Sequence, residues 1–211
     1  MIILFDLDNT LIDRDTAYFS WLKCYFESLH IDLNAEQWFE IRQRDNSGKG
    51  SRHSFFEWLI QRFKLTISCT DLMQLSFDEV HQYLPEISQA EKTLLQHLQK
   101  SHALGIVTNG GRKTQMNKLN SSGLLPYFEE DNIFISGVIG FEKPDPLYFE
   151  AVKKAMCQEN EKVIIVGDDF DKDIVAGKKA GWRTAWLSKE VSNAIEVDYC
   201  IKHWIEIETI C

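Results

Sequence analysis

The feature that most constrains this chain is its opening stretch, MIILFDLDNTLID. The run Ile2-Ile3-Leu4-Phe5 is apolar at every position, so it cannot be a strand with one wet face. A short run of this kind reads as a strand buried on both sides, as in parallel sheets covered by helices. The run stops at Asp6, and Asp8 follows two residues later. In open α/β sheets ligands bind at the carboxyl edge of the strands, which is where these acids fall. Two neighbouring carboxylates repel unless a cation or a shared proton holds them. Either they are solvated in a turn, or a positive charge is held against them.

The second half of the chain repeats the opening pattern. Apolar runs at 103–107, 133–135, 163–166, 184–187 and 199–201 read as strands. They alternate with helix patterns at 88–100 with a capping box at Ser88 and Glu91, at 112–122 closed by Gly123, from Asp145-Pro146 onward, and at 174–180 closed by Gly181. Strands alternating with helices imply a parallel sheet with right-handed crossovers.

Between the first strand and the rest lies a block of different texture. Tyr18, Trp21, Tyr25 and Leu29 recur at helical spacing, as do Trp38 and Ile41, then Phe55, Leu59 and Phe63, then Met73, Phe77, Val80 and Leu84. The spacing predicts four helices, the second starting near Asn34 and the third opened by a capping box from Ser54 to Glu57. The aromatic stripe reads as the packing of a small separate core. The glycines of Asn46-Ser47-Gly48-Lys49-Gly50-Ser51-Arg52 predict a mobile loop carrying Lys49 and Arg52. Those two residues and Arg14 are candidates to touch a substrate, and the block as a whole is a candidate lid. The expected division is a core of 1–13 and 86–211 and an inserted helical domain of 14–85.

Composition removes several function classes. With 211 residues, 44% of them hydrophobic, the chain can bury a sizeable core. A formal charge of −9, from 23 basic and 32 acidic residues, repels nucleic acid and anionic membrane surfaces, so neither is expected as a partner. Five scattered cysteines, Cys24, Cys69, Cys157, Cys200 and Cys211, contain no CxxC pair and suggest neither a disulfide framework nor a zinc site. Neither a secretory leader nor a membrane span is expected, and the reducing cytoplasm is the expected compartment.

Three apolar runs end in polar signatures: Asp6 and Asp8, Thr108-Asn109, and Asp168-Asp169. Parallel strands bring such ends to one edge, within reach of Lys143. Clustered acids without His or Cys suit a hard dication with oxygen ligands, magnesium in particular, rather than zinc. A dication, an ammonium, a hydroxyl and exposed backbone N–H groups together form a receptor for a phosphoryl group. A carboxylate beside it could serve as nucleophile.

Four stretches, Asp6-Leu7-Asp8-Asn9-Thr10-Leu11, Thr108-Asn109-Gly110, Lys143-Pro144-Asp145 and Gly167-Asp168-Asp169-Phe170-Asp171-Lys172-Asp173, resemble in order and spacing the motifs of haloacid dehalogenase superfamily hydrolases of the phosphatase type. The resemblance implies an α/β fold: a Rossmann-like parallel-sheet core with a four-helix cap domain inserted after the first strand. It implies Asp6 as nucleophile, forming an aspartyl-phosphate, and Asp8 as general acid and then general base. Magnesium would be held by the Asp6 carboxylate, the Asp8 backbone carbonyl and the Asp168 carboxylate, with Asp169 able to share the task. Thr108 and the Asn109 backbone N–H would bind phosphoryl oxygens, and Lys143 would neutralise charge there. Thr10 would steady the loop, and Asp173 would act through a water or orient the site. Asp8, Asp168 and Asp173 fit phosphate ester hydrolysis better than dehalogenation. The expected enzyme is a magnesium-dependent phosphomonoesterase of small phosphorylated metabolites, a nucleoside 5′-monophosphatase first among the specific readings. A sugar phosphate or phosphoglycolate phosphatase and a phosphomutase are the alternatives within the family. A catalytically silent protein-binding module is the alternative outside it. The partner is a small phosphate ester, and the chain is expected to be a monomer or homodimer.

Overall fold

The computed structural model describes residues 1–156, 161–188 and 197–211. The chain divides into two compact units, Met1–Ile12 with Pro85–Cys211, and Asp13–Leu84.

The first unit is built on a sheet of β1 (Ile2–Phe5), β2 (Ala103–Thr108), β3 (Ile133–Ile135), β4 (Val163–Gly167), β5 (Arg183–Leu187) and β6 (Tyr199–Ile201). Their order is β3-β2-β1-β4-β5-β6, and every pairing is parallel. The parallel sheet expected from the alternation, and the α/β, Rossmann-like class implied by the resemblance, are the ones observed. All of β1 is fully buried, because both faces of a parallel sheet are covered. Ile2 and Leu4 face one side, packing with Val107, Tyr148, Val152 and Ile165. Phe5 faces the other, its ring edge-on to Phe128 (6.3 Å) and Trp204 (5.9 Å). From β1 the chain runs outward through β2 and β3, then returns to place β4 on the other flank of β1. Such a reversal of strand order opens a crevice at the carboxyl edge.

The second unit contains α1 (Arg14–Ser28), α2 (Ala35–Asp45), α3 (Arg52–Phe63), α4 (Cys69–Glu79) and a 3-10 turn, Val80–Tyr83. Each helix starts where a short polar side chain takes an orphan backbone N–H: Asp13, Asn34, Ser51 and Ser68. The third start corrects the expectation. The cap is Ser51 rather than Ser54, so Arg52 is the first residue of α3 instead of part of a loop. The aromatic stripe is core, with Tyr18, Trp21, Phe26, Phe55 and Phe56 buried.

At the centre of this unit Asp45 is 1% exposed. It accepts from Arg14 Nη1 at 2.7 Å and also pairs with Arg52. The Arg14 guanidinium lies 4.3 Å above the Tyr18 ring and that of Arg52 4.8 Å from Phe55, so both cations also cover aromatic faces. The positive charges that α1 and α3 bring inward therefore hold this unit together.

The first unit continues with α5 (Gln89–Leu98), opened by the expected Ser88–Glu91 capping box, α6 (Arg112–Ser121), a single turn α7 (Ser136–Ile139), α8 (Pro146–Met156) and α9 (Ala176–Lys179), the last preceded by a π-helical turn, Phe170–Val175. The helix expected over 174–180 thus begins as a wider coil. Cys24, Cys69, Cys200 and Cys211 are free thiols, and Cys157 lies outside the described residues. Among the described residues no helix is long and apolar enough to cross a membrane.

Burial pushes the Asp45 carboxyl up, but Arg14 and Arg52 outweigh it and hold it below the ordinary carboxylate range. Its stabilisation is therefore complete above the unfolded value of about 4 and is lost as pH falls through the lower folded value. Asp45→Asn leaves the buried Arg14 and the half-buried Arg52 underpaired and should cost about 3–5 kcal/mol. Urea unfolding followed by far-UV circular dichroism checks this. An unchanged midpoint, or an acid-side loss of stability identical to wild type, would sink the assignment.

Candidate active site

Because β1 lies between β2 and β4, the residues leaving these three strands share one edge. Register does the alignment. Phe5 is level with Ile106 and with Val166, so Asp6 leaves the sheet beside Val107 and Gly167, and Thr108 and Asp168 follow one step later. Asp6 keeps a last ladder bond, donating its N–H to Val166 O at 2.8 Å.

Lys143 enters this edge from the loop before α8, just ahead of a cis peptide bond to Pro144. Its ammonium is 3% exposed. It donates to Asp6 Oδ1 (2.8 Å), Asp173 Oδ1 (2.6 Å) and Val107 O (2.8 Å), which uses all three protons. Burial pulls the ammonium down, yet Asp173 and Asp6 together hold its pKa above the ordinary lysine value. The loop itself is pinned by Asn109, whose side chain accepts from Lys143 N (2.8 Å) and donates to Lys143 O (2.9 Å).

Asp6 answers differently to the same surroundings. Burial pushes its carboxyl up, Lys143 pulls it back, Asp173 pushes again, and the pKa comes to about 7. Thr10 Oγ1 reaches Asp6 Oδ2 at 3.4 Å. Asp173 is fully buried, and burial raises its pKa against the pull of Lys143. Its second oxygen accepts from Asp169 N at 3.1 Å. The Asp169 side chain instead caps the π-helical turn, accepting from the N–H groups of Asp171 and Lys172. Asp168 is half-buried, and its carbonyl accepts from Trp186 Nε1 at 3.1 Å.

Asp6, Asp168 and Asp173 each offer a carboxylate oxygen, all within 4.8 Å of one another. Ionised, they bring three negative charges against one positive charge on Lys143, a balance of −3 + 1 = −2. The donors are all oxygen, and the excess charge matches a hard dication.

Thr108 is 1% exposed. Beyond it Gly110 N donates to Ser136 Oγ (3.0 Å), and Gly110 O accepts from Gly137 N (3.0 Å), tying the strand end to α7. The Asp8 carboxylate is turned toward α6. Lys118 Nζ sits 2.7 Å from both of its oxygens, and Gln115 Nε2 donates to Oδ2 at 3.1 Å. Asp6, Asp8, Thr10, Thr108, Asn109, Lys143, Asp168, Asp169 and Asp173 thus all belong to one edge of the first unit. Gln115, Lys118 and Ser136 were not anticipated. The helix is polar almost throughout, and only the structure shows that Gln115 and Lys118 lie with Leu119 on its buried face.

The family model for haloacid dehalogenase-like hydrolases matches residues 3–187. The chain is 31% identical to the HAD-hydrolase YfnB of Bacillus subtilis, over 90% of this chain and 84% of that one. It is 28% identical to the pyrimidine 5′-nucleotidase PynA of Streptococcus pneumoniae, over 88% and 83%. It is 27% identical to the glyceraldehyde 3-phosphate phosphatase of Pyrococcus furiosus, over 94% and 85%. The crystal structure of YfnB bound to magnesium superposes with a TM-score of 0.82, at 28% identity, covering 99% of this chain and 97% of that one.

Gly167 is where the edge has least room. A Cβ there would fall inside the Asp173 carboxylate. Gly167→Ala must therefore move Asp173 and with it Lys143, at about 1–3 kcal/mol of stability. Urea unfolding measures this, and a wild-type midpoint would show that Asp173 does not rest on that glycine.

Proposed function

This chain belongs to the haloacid dehalogenase-like hydrolase family, and from that premise we propose that it hydrolyses small phosphate monoesters, with magnesium, through an aspartyl-phosphate on Asp6. It is a hydrolase of the phosphatase type. The observation that carries the finer reading is the Asp6 carboxylate itself, fixed by Lys143 among further carboxylates whose charge a dication would complete. In this reading residues 1–13 and 86–211 are the catalytic core and 14–85 the cap.

Magnesium would be held by the carboxylates of Asp6 and Asp168 and the backbone carbonyl of Asp8, and when bound it neutralises phosphoryl oxygens. Asp168 is favoured over Asp169 because the Asp169 side chain is engaged in capping the turn after it. An Asp6 oxygen attacks phosphorus, and the bond from phosphorus to the ester oxygen breaks. Asp8 gives that oxygen its proton, so an alcohol leaves. Water then attacks the phosphorus, Asp8 takes a proton from it, and the bond to Asp6 breaks to release inorganic phosphate. Thr108 and the Asn109 N–H steady the phosphoryl oxygens, while Lys143 offsets their charge throughout. Asp173 keeps Lys143 aimed and charged.

A nucleoside 5′-monophosphate is the leading substrate class, supported by relatives named as pyrimidine 5′-nucleotidases. Triose and other sugar phosphates are the competing class, supported by relatives named as glyceraldehyde 3-phosphate phosphatases. Phosphate release from a panel of nucleoside monophosphates, sugar phosphates and p-nitrophenyl phosphate decides between them. Turnover should require magnesium and stop on chelation. Asp6→Asn should lower kcat by about a thousandfold or more with the fold retained. Substantial turnover by that variant would remove Asp6 from the nucleophile's role. No turnover of any ester by the wild type would favour a binding module.

A further inference from the structure

Two side chains on α6 have no part in the chemistry so far. Gln115 and Lys118 lie three residues apart, hence on one face of the helix, and are 1% and 8% exposed. A buried ammonium and a buried amide are costly unless paired. Their partners are two groups assigned to the reaction. Lys118 Nζ holds both oxygens of Asp8 at 2.7 Å, a symmetrical grip that fixes the direction of the carboxylate. Gln115 Nε2 spans the gap between Asp8 Oδ2 (3.1 Å) and Thr108 Oγ1 (2.6 Å), one N–H for each. The Thr108 hydroxyl accepts that bond, and its own proton makes only a long contact, donated to Asn109 O at 3.5 Å. Gly110, at φ +137°, leaves room for the amide: a Cβ there would come within 3.2 Å of the Gln115 Cδ.

We propose that Gln115 and Lys118 are positioning residues that set the Asp8 carboxyl and the Thr108 hydroxyl in mutual register, so that the proton donor and the phosphate-binding group meet one substrate together. This rests on the phosphatase reading above. Neither residue need touch the substrate.

The test exploits the leaving group. An alkyl phosphate needs the proton from Asp8 as its ester bond breaks, whereas p-nitrophenolate leaves without one. In Lys118→Met, kcat/KM for an alkyl phosphate such as a nucleoside 5′-monophosphate should fall about 10- to 100-fold, while that for p-nitrophenyl phosphate falls less than about threefold. Lys118→Arg should recover part of the loss. An equal fall on both esters, a change confined to KM, or no change would overturn the proposal. Should Lys118→Met fail to fold, Lys118→Gln is the second variant, with the same leaving-group-dependent loss expected and the same results against it. Wild-type protein inert on both esters would refute the phosphatase reading and this one together. Wild-type turnover of both, matched by the variant, would refute the positioning role alone.

Discussion

Everything at the carboxyl edge depends on one ammonium group. Lys143 is the positive charge that lets Asp6 and Asp173 share a dry site, and its third proton, on Val107 O, anchors it to the sheet. Removing one partner of such a buried set leaves an uncompensated charge, which costs far more than an exposed ion pair contributes. The compensation is incomplete. Burial still pushes Asp6 up to about 7, so one lysine cannot keep every acid ionised. Three carboxylate oxygens within 4.8 Å of one another face that single ammonium, an all-oxygen donor set of the kind a hard dication takes.

Sheet order makes the cluster possible. β1 has a neighbour on each side that also ends in polar residues, because the chain reverses direction across the sheet after β3. Glycine then allows close approach: Gly167 leaves room for the Asp173 carboxylate. The helical unit follows a different logic. It is built of helices alone, and it holds its centre with Asp45 between two arginines and a layer of aromatic rings.

Much of this was legible in the residues. Four apolar positions before Asp6 specify a doubly covered strand, and the matching ends at Thr108 and Asp168 place the site. Local capping rules located α5 and α8, through Ser88 with Glu91 and through Asp145 before Pro146. Ser54 and Glu57 spell a capping box, whereas Ser51 starts α3 as a lone cap that accepts from Ser54 N, with Arg52 next to it paired to the buried Asp45. Gln115 and Lys118 were invisible for a related reason. On a helix this polar, nothing local separates a solvated lysine from one folded back onto an acid 110 residues away.

The paired bonds of Asn109 to the backbone of Lys143 carry a consequence for how such a scaffold can be altered. The segment after β2 and the segment before α8 are stitched edge to edge by one amide, which reads main-chain atoms rather than a side chain. Transplanting either segment alone from another scaffold would strand the other's hydrogen-bonding groups. The two segments are best exchanged together, as a single cassette.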